Sequence, residues 1–455
     1  MTAATFNNCL PAARIRTDDE ALVRYGRDRT TSFVADPCVV LLPETTDEVV
    51  RIVEAANRDR VGLVPSGGRT GLSGGAVAGT GQAVVSLERM NRVLEISAAD
   101  RLVTCQAGVI TQVLQATAEQ AGLFYPVDFA SSGSSFIGGN IATNAGGIRV
   151  IRYGMTRDWV AGLKVVTGTG DVLDLNHGLV KNNTGYDLRH LFIGSEGTLG
   201  FVVEATMRLA RPPEAQRVLV LAVPRLDDLM RVLETFQSAV DLSAFEFFSE
   251  LALGRVLAHG RGQRPFATPS PFYALLEFDA SADDKAVTAF EACIAANVAT
   301  DGVLSQSDAQ MQSLWALREN ISESLAQEKP YKNDIAVRIS DVPDFLREVD
   351  TLVKSRYPDV EVAWYGHIGD GNLHLNILKP AALSEPEFVD RCHHISPELF
   401  ALVQARNGSI SAEHGVGLLK RDFLGYSRAP EEIAAMRAMK TLFDPNGILN
   451  PGKLL

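Results

Sequence analysis

Cysteine is scarce and scattered: five residues in 455, namely Cys9, Cys38, Cys105, Cys293 and Cys392, with no Cys-x-x-Cys spacing. An odd, dispersed set excludes a disulfide framework and a thiolate metal site and fits a reducing compartment, so a cytoplasmic protein is expected. Basic charge is also short. With 43 Lys and Arg against 55 Asp and Glu the net charge is −12 and the pI is near 5.3, which argues against nucleic acid or an anionic membrane surface as a partner. An anionic substrate would then need a local basic pocket. Long apolar runs are missing: the longest, near Val218 to Val223, is far from bilayer length, and Met1 to Asp28 has no apolar core of signal-peptide length. No transmembrane segment is expected. There is also no G-x-x-x-x-G-K-[ST], and no G-x-G-x-x-G opening a helix after a strand, which speaks against ATP and Rossmann-type dinucleotides.

What remains is the composition of a globular enzyme, 46% hydrophobic and 22% charged, on a chain too long for one core. The first half alternates short β runs with amphipathic helices. Val39 to Leu42 reads as a strand, Thr46 as the N-cap of a helix over Glu48 to Asn57, and Val61 to Val64 as the next strand, together a βαβ unit. A strand over Leu102 to Gln106 and a helix from Thr111 to Ala121 closed by Gly122 follow. After a strand at Phe201 to Leu209 comes Arg211-Pro212-Pro213, and the domain boundary is placed there. Beyond it, strands near Val218 to Val223 and Tyr273 to Phe278, helices near Asp227 to Ser238 and Asp308 to Glu328, and a last helix started by Pro430 are expected.

The segment His367-Ile368-Gly369-Asp370-Gly371-Asn372-Leu373-His374-Leu375-Asn376 reads as a hairpin, with Gly369 to Asn372 supplying the turn chemistry. That loop sets His367 opposite His374 with Cβ atoms roughly 5 Å apart, a chelating distance. Glu413 in Ser411-Ala412-Glu413-His414-Gly415 is the best third ligand, giving a His, His, Glu set with open positions for water or substrate. A lone histidine is more often a hydrogen-bonded polar residue than a ligand. Three of the eight histidines, however, lie in these two short glycine-flanked segments, and such clustering rarely serves packing. Zinc, manganese and cobalt all tolerate this donor set.

Glycine is densest in two loops, Pro65-Ser66-Gly67-Gly68-Arg69-Thr70-Gly71-Leu72-Ser73-Gly74-Gly75 and the stretch from Pro126 to Gly147. Backbone N–H groups in such loops can cradle phosphates, although one loop alone could be no more than a turn. The first loop, then Ser134-Ser135-Phe136-Ile137-Gly138-Gly139-Asn140-Ile141-Ala142-Thr143-Asn144-Ala145-Gly146-Gly147, then Tyr153-Gly154, then Gly194-Ser195-Glu196-Gly197-Thr198-Leu199-Gly200 resemble in order and spacing the FAD-binding domain of the vanillyl-alcohol oxidase and p-cresol methylhydroxylase (PCMH) superfamily. The tail Asn450-Pro451-Gly452-Lys453 resembles the end of the FAD-linked oxidase C-terminal domain.

The resemblance implies an α+β protein. A two-subdomain PCMH-type FAD-binding domain over residues 1–213 would precede an FAD-linked oxidase C-terminal domain over 214–455, an antiparallel sheet with helices and a short C-terminal helical segment. It implies FAD held by Pro65, Gly67, Gly68, Arg69, Thr70, Gly71, Leu72, Gly74 and Gly75, by Pro126, Asp128, Ser134, Ser135, Gly138, Gly139, Asn140, Ala142, Thr143, Asn144, Gly146 and Gly147, and by Tyr153, Gly154, Glu196, Gly197, Gly200 and Asn450. The first two loops would take the pyrophosphate and the Glu196-Gly197 turn would lie near the adenine or ribose. Relatives with covalent FAD use a histidine in the first loop. Arg69 stands here with no histidine, so noncovalent FAD is expected.

The second half resembles a narrower group, the D-2-hydroxy acid dehydrogenases, nearest to those acting on D-2-hydroxyglutarate. By that resemblance His367, His374 and Glu413 are divalent metal ligands, zinc first. His414 is the catalytic histidine at the reacting carbon, and Arg318, Ser322, Lys332 and Asn376 contact substrate with it. Arg318 would grip a carboxylate, which its planar fork suits, and Lys332 would meet the distal carboxylate of a diacid. The implied reaction is FAD- and metal-dependent oxidation of D-2-hydroxyglutarate to 2-oxoglutarate, with electrons passed to an electron-transfer flavoprotein or a quinone. D-lactate, D-malate and glycolate present the same hydroxyl and carboxylate and are the alternatives. A zinc hydrolase would leave the glycine loops unexplained and shows no H-E-x-x-H, and a non-catalytic flavin subunit would not be reduced by any hydroxy acid. A homodimer through the second half is the assembly allowed for.

Overall fold

The computed structural model describes residues 3–30 and 32–455. Its chain divides into two compact units, each discontinuous in sequence: Met1–Gly147, Gly154–Pro212 and Glu413–Leu455 in one, Ile148–Tyr153 and Pro213–Ala412 in the other.

In the first unit, β1 (Ile15–Arg16), β2 (Val39–Leu41), β3 (Leu63–Ser66) and β4 (Ala83–Ser86) form a sheet in the order β1-β2-β4-β3. Strands β2, β4 and β3 are parallel and β1 joins antiparallel. Every residue of β2 and β4 is buried, as a parallel strand covered on both faces requires. The helix Thr46–Asp59 makes the crossover and buries Val49, Ile52, Val53 and Ala56, the i, i+3, i+4, i+7 stripe of a core-facing helix. Its N-cap is Thr45 rather than Thr46. The Thr45 hydroxyl accepts from the Glu48 N–H at 3.2 Å and its carbonyl from the Val49 N–H, so Thr46 is already helical. Strand β3 starts two residues later than expected and runs through Pro65. A proline is tolerated there because the outer edge of β3 is not a full ladder; it is bridged by the chain end, with Leu63 N–H donating to the Ile448 carbonyl and Asn450 N–H to that of Leu63.

The same unit holds β5 (Val93–Ser97), β6 (Leu102–Gln106), β7 (Val160–Thr167), β8 (Val172–Leu175) and β9 (Gly200–Arg208), antiparallel in the order β5-β6-β9-β7-β8. Both sheets feed one core, from Val39, Ile52 and Leu63 to Cys105, Leu163, Phe192 and Phe201.

The second unit is a seven-stranded antiparallel sheet of β10 (Gln216–Val223), β11 (Leu242–Ser249), β12 (Phe272–Asp279), β13 (Asp301–Leu304), β14 (Tyr331–Ala336), β15 (Glu361–Gly366) and β16 (Asn372–Leu378). The order is β13-β10-β12-β11-β15-β16-β14. One face, carrying Val218, Val220, Phe248, Tyr273, Leu275, Ala363 and Tyr365, packs on Leu314, Trp315, Leu317, Ile321 and Leu325. Those last five lie on two helices, Asp308–Glu319 and Ile321–Ala326. A single helix over Asp308 to Glu328 was expected. It breaks at Asn320, a poor helix former whose side-chain amide donates to the Arg261 carbonyl at 3.0 Å. Among the described residues no helix is long and apolar enough to cross a membrane.

Candidate active site

The chemistry-bearing side chains of the second unit share the helix-covered face. Cross-strand partners project to the same side, and the register pairs Lys332 with Asn376, Asp334 with His374, Tyr365 with His374, and Phe248 with Tyr365. Alternation adds Glu246, two residues before Phe248 on β11.

The hairpin differs from expectation in its register. His374 faces Tyr365, and the Asn372 N–H closes on the His367 carbonyl at 3.2 Å, a shift of two residues from a His367–His374 pair. The period of a strand is two, so the shift leaves both imidazoles on one face. Their ring centroids are 5.2 Å apart. Glu413 follows Ala412, whose N–H reaches the Asp334 carbonyl at 3.4 Å, while Ser409 and Ala336 exchange backbone hydrogen bonds. One ligand atom each from His367, His374 and Glu413 lies within 4.8 Å of the others.

Behind this trio sits a residue the sequence reading missed. The fully buried Glu246 carboxylate accepts from His367 Nδ1 at 2.6 Å through one oxygen and from Arg318 Nε at 2.7 Å through the other. Burial alone would raise the Glu246 pKa, but the charges and hydrogen bonds of His367 and Arg318 outweigh it and hold the carboxyl below its ordinary value. Arg318, 6% exposed, lays its guanidinium over the Tyr365 ring at 4.7 Å. The signal in the sequence was a lone acid inside Ser243-Ala244-Phe245-Glu246-Phe247-Phe248, since a charge in a buried apolar strand needs a partner.

Further along the face, Lys332 Nζ donates to Ser322 Oγ at 3.2 Å. The Asn376 amide gives Nδ2 to the His374 carbonyl, and its buried Oδ1 has no hydrogen-bond partner among the described residues. His414 is half-buried in the bend after Glu413.

In the first unit the glycine segments, remote in sequence, meet. A Cβ on Gly68 would come within 2.1 Å of the Ser134 carbonyl oxygen, and one on Gly197, whose φ is +69°, within 2.6 Å of Pro65. Neither position can carry a side chain. Asn450 Nδ2 donates to the carbonyls of Gly75 and Glu196, tying in the tail. Glu196 is occupied in a way the sequence did not suggest: its carboxylate accepts from the N–H groups of Val416 and Gly417 at 2.7 and 2.8 Å. It anchors the turn that follows His414.

Residues 212–454 match the family model described as FAD linked oxidases, C-terminal domain, and residues 37–176 match an FAD binding domain. A D-2-hydroxyglutarate dehydrogenase of Stutzerimonas stutzeri is 57% identical, covering 97% of this chain and 96% of its own; one from Xanthomonas citri pv. viticola is 53% identical, covering 99% and 96%. The chain belongs to the D-2-hydroxyglutarate dehydrogenase family of FAD-linked oxidases. Its fold is that of p-cresol methylhydroxylase, whose substrate-bound crystal structure superposes with a TM-score of 0.79 at 15% identity, over 99% of this chain and 96% of that one. As a member of the family it is an FAD-dependent dehydrogenase. The first unit suits the flavin: where its loops cross, a Cβ on Gly139 would meet nothing, and the buried Ser66 Oγ, Asp28 Oδ2 and Asn450 Oδ1 have no partner among the described residues, as acceptors and donors awaiting a polar ligand would.

Proposed function

We propose that this dehydrogenase oxidises D-2-hydroxyglutarate to 2-oxoglutarate with noncovalent FAD and a divalent metal, zinc first, and passes the electrons to an electron-transfer flavoprotein or a quinone. The observation that carries the reading is the arrangement of one sheet face, with a His, His, Glu trio, a buried arginine tied behind it and a lysine farther along. His367, His374 and Glu413 would hold the metal, which would supply Lewis acidity to the reacting end of the substrate. FAD, when bound, supplies the two-electron acceptor for the hydrogen leaving C2. Arg318 holds a substrate carboxylate by its fork, Lys332 the distal one, and Asn376, opposite Lys332 on the neighbouring strand, contacts the substrate through its amide N–H. His414 accepts the hydroxyl proton as the C2–H bond breaks.

The test is anaerobic mixing with D-2-hydroxyglutarate, D-malate and D-lactate in turn, following flavin absorbance at about 450 nm. Bleaching fastest with D-2-hydroxyglutarate, and lost in His414→Ala with FAD retained, is expected. Equal or faster bleaching by D-lactate would move the enzyme to monocarboxylates, and no bleaching by any would leave a flavin-binding subunit.

A further inference from the structure

Resting on that reading, we infer that Glu246 is a positioning residue through which metal affinity and substrate-carboxylate affinity are both set. Each oxygen of its buried carboxylate takes one donor, His367 Nδ1 and Arg318 Nε. With Nδ1 spent, only Nε2 of His367 remains to join His374 and Glu413, and a carboxylate on Nδ1–H fixes that tautomer and the ring plane. With Nε spent on Glu246 and the guanidinium carbon 4.7 Å from the Tyr365 ring centroid, Arg318 keeps its two Nη groups for another acceptor. Among the described residues neither Nη has an acceptor, whereas Arg149 spends both Nε and Nη2 on Glu277, to which Trp315 also donates. Arg149 meets its carboxylate with two nitrogens. The Arg318 pair leaves a fork open, which is the geometry a carboxylate ligand takes bidentately.

The role needs two acceptors at glutamate length. Glutamine presents one acceptor and one donor, so either His367 Nδ1–H or Arg318 Nε–H would face an N–H group. Aspartate keeps the charge but is one methylene too short to reach both partners.

The experiment uses the FAD-holoenzyme, stripped of metal, as parent, Glu246→Gln, Glu246→Asp, His367→Ala and His367→Ala/Glu246→Gln. Zn2+ is titrated against a chromogenic chelator, and 2-oxoglutarate is titrated by its perturbation of the flavin spectrum. Glu246→Gln should bind Zn2+ about 10- to 100-fold more weakly, the usual effect of losing a carboxylate behind a metal-binding histidine, and should bind 2-oxoglutarate more weakly even at saturating Zn2+. In the His367→Ala background Glu246→Gln should cost no further Zn2+ affinity yet still weaken 2-oxoglutarate binding through Arg318, a split that general misfolding would not give. Zn2+ and 2-oxoglutarate affinities in Glu246→Gln within about twofold of a metal-binding parent would overturn the inference and leave the proposed reaction standing. If Glu246→Gln does not fold, Glu246→Asp decides: losing one of the two affinities supports the role, and keeping both overturns it. A parent that takes up no Zn2+ removes the metal reading and this inference with it.

Discussion

Lys332→Met separates the substrates by length. The register sets Lys332 opposite Asn376 and Asp334 opposite His374, so Lys332 lies two residues, about 7 Å, along the strand from the His374 level. At about 1.25 Å of advance per bond, an extended D-2-hydroxyglutarate spans roughly 5 Å from C1 to C5 and D-malate roughly 3.8 Å between its carboxyl carbons. A diacid anchored at the His374 level therefore brings its distal carboxylate within a lysine's reach, best with five carbons, and D-lactate brings none. A hydrogen bond to a charged partner contributes ~1.5–3 kcal/mol, with the low end apt because Lys332 is exposed. Stopped-flow flavin reduction should then show the reduction rate over Kd for D-2-hydroxyglutarate falling about 10-fold, less for D-malate, and no more than about twofold for D-lactate. A fall of the same size for D-lactate would mean that Lys332 supports the fold through its Ser322 bond. No fall for D-2-hydroxyglutarate would remove it from the substrate.

Chelation should abolish flavin reduction without releasing FAD, with Zn2+ or Mn2+ restoring it, and His374→Ala should not be restorable; full activity of metal-free protein would refute the metal's part. Lys453 is 3% exposed, and burial pushes its pKa down to about 8 although Asp28 pulls it partly back. A depressed lysine costs stability fully below the folded pKa and less as pH rises toward the unfolded value. Lys453→Met should therefore gain up to ~3 kcal/mol below pH 8, with the gain vanishing toward pH 10.5, in denaturant melts of both proteins. A pH-independent difference would refute this. Thr45→Ala should cost ~1 kcal/mol in the same melts and Thr46→Ala under half that; the reverse order would return the cap to Thr46.

What could be read from the sequence is what short segments encode. The strand Leu102–Gln106, the helix from Thr111 and the helix started by Pro430 stand where periodicity and capping put them, since each depends on neighbours within a few residues. The hairpin's register was misread by two residues, yet His367 and His374 share a face because a two-residue slip preserves it. Glycine loops were legible as loops, but the reasons for their glycines, Gly68 against Ser134 and Gly197 against Pro65, lie 66 and 132 positions away. Glu246 and Glu196 mark where local reading stops. The first is 121 residues from His367 and the second 220 from Val416, and no periodicity links such pairs. Glu246 can still be noticed alone, as a carboxylate in an apolar strand that would reject it unless a distant donor arrives. In Glu246 that donor is double, His367 on one oxygen and Arg318 on the other. A buried acid in an apolar strand is therefore the feature of this sequence that tells most about how its separate active-site segments are held in one geometry.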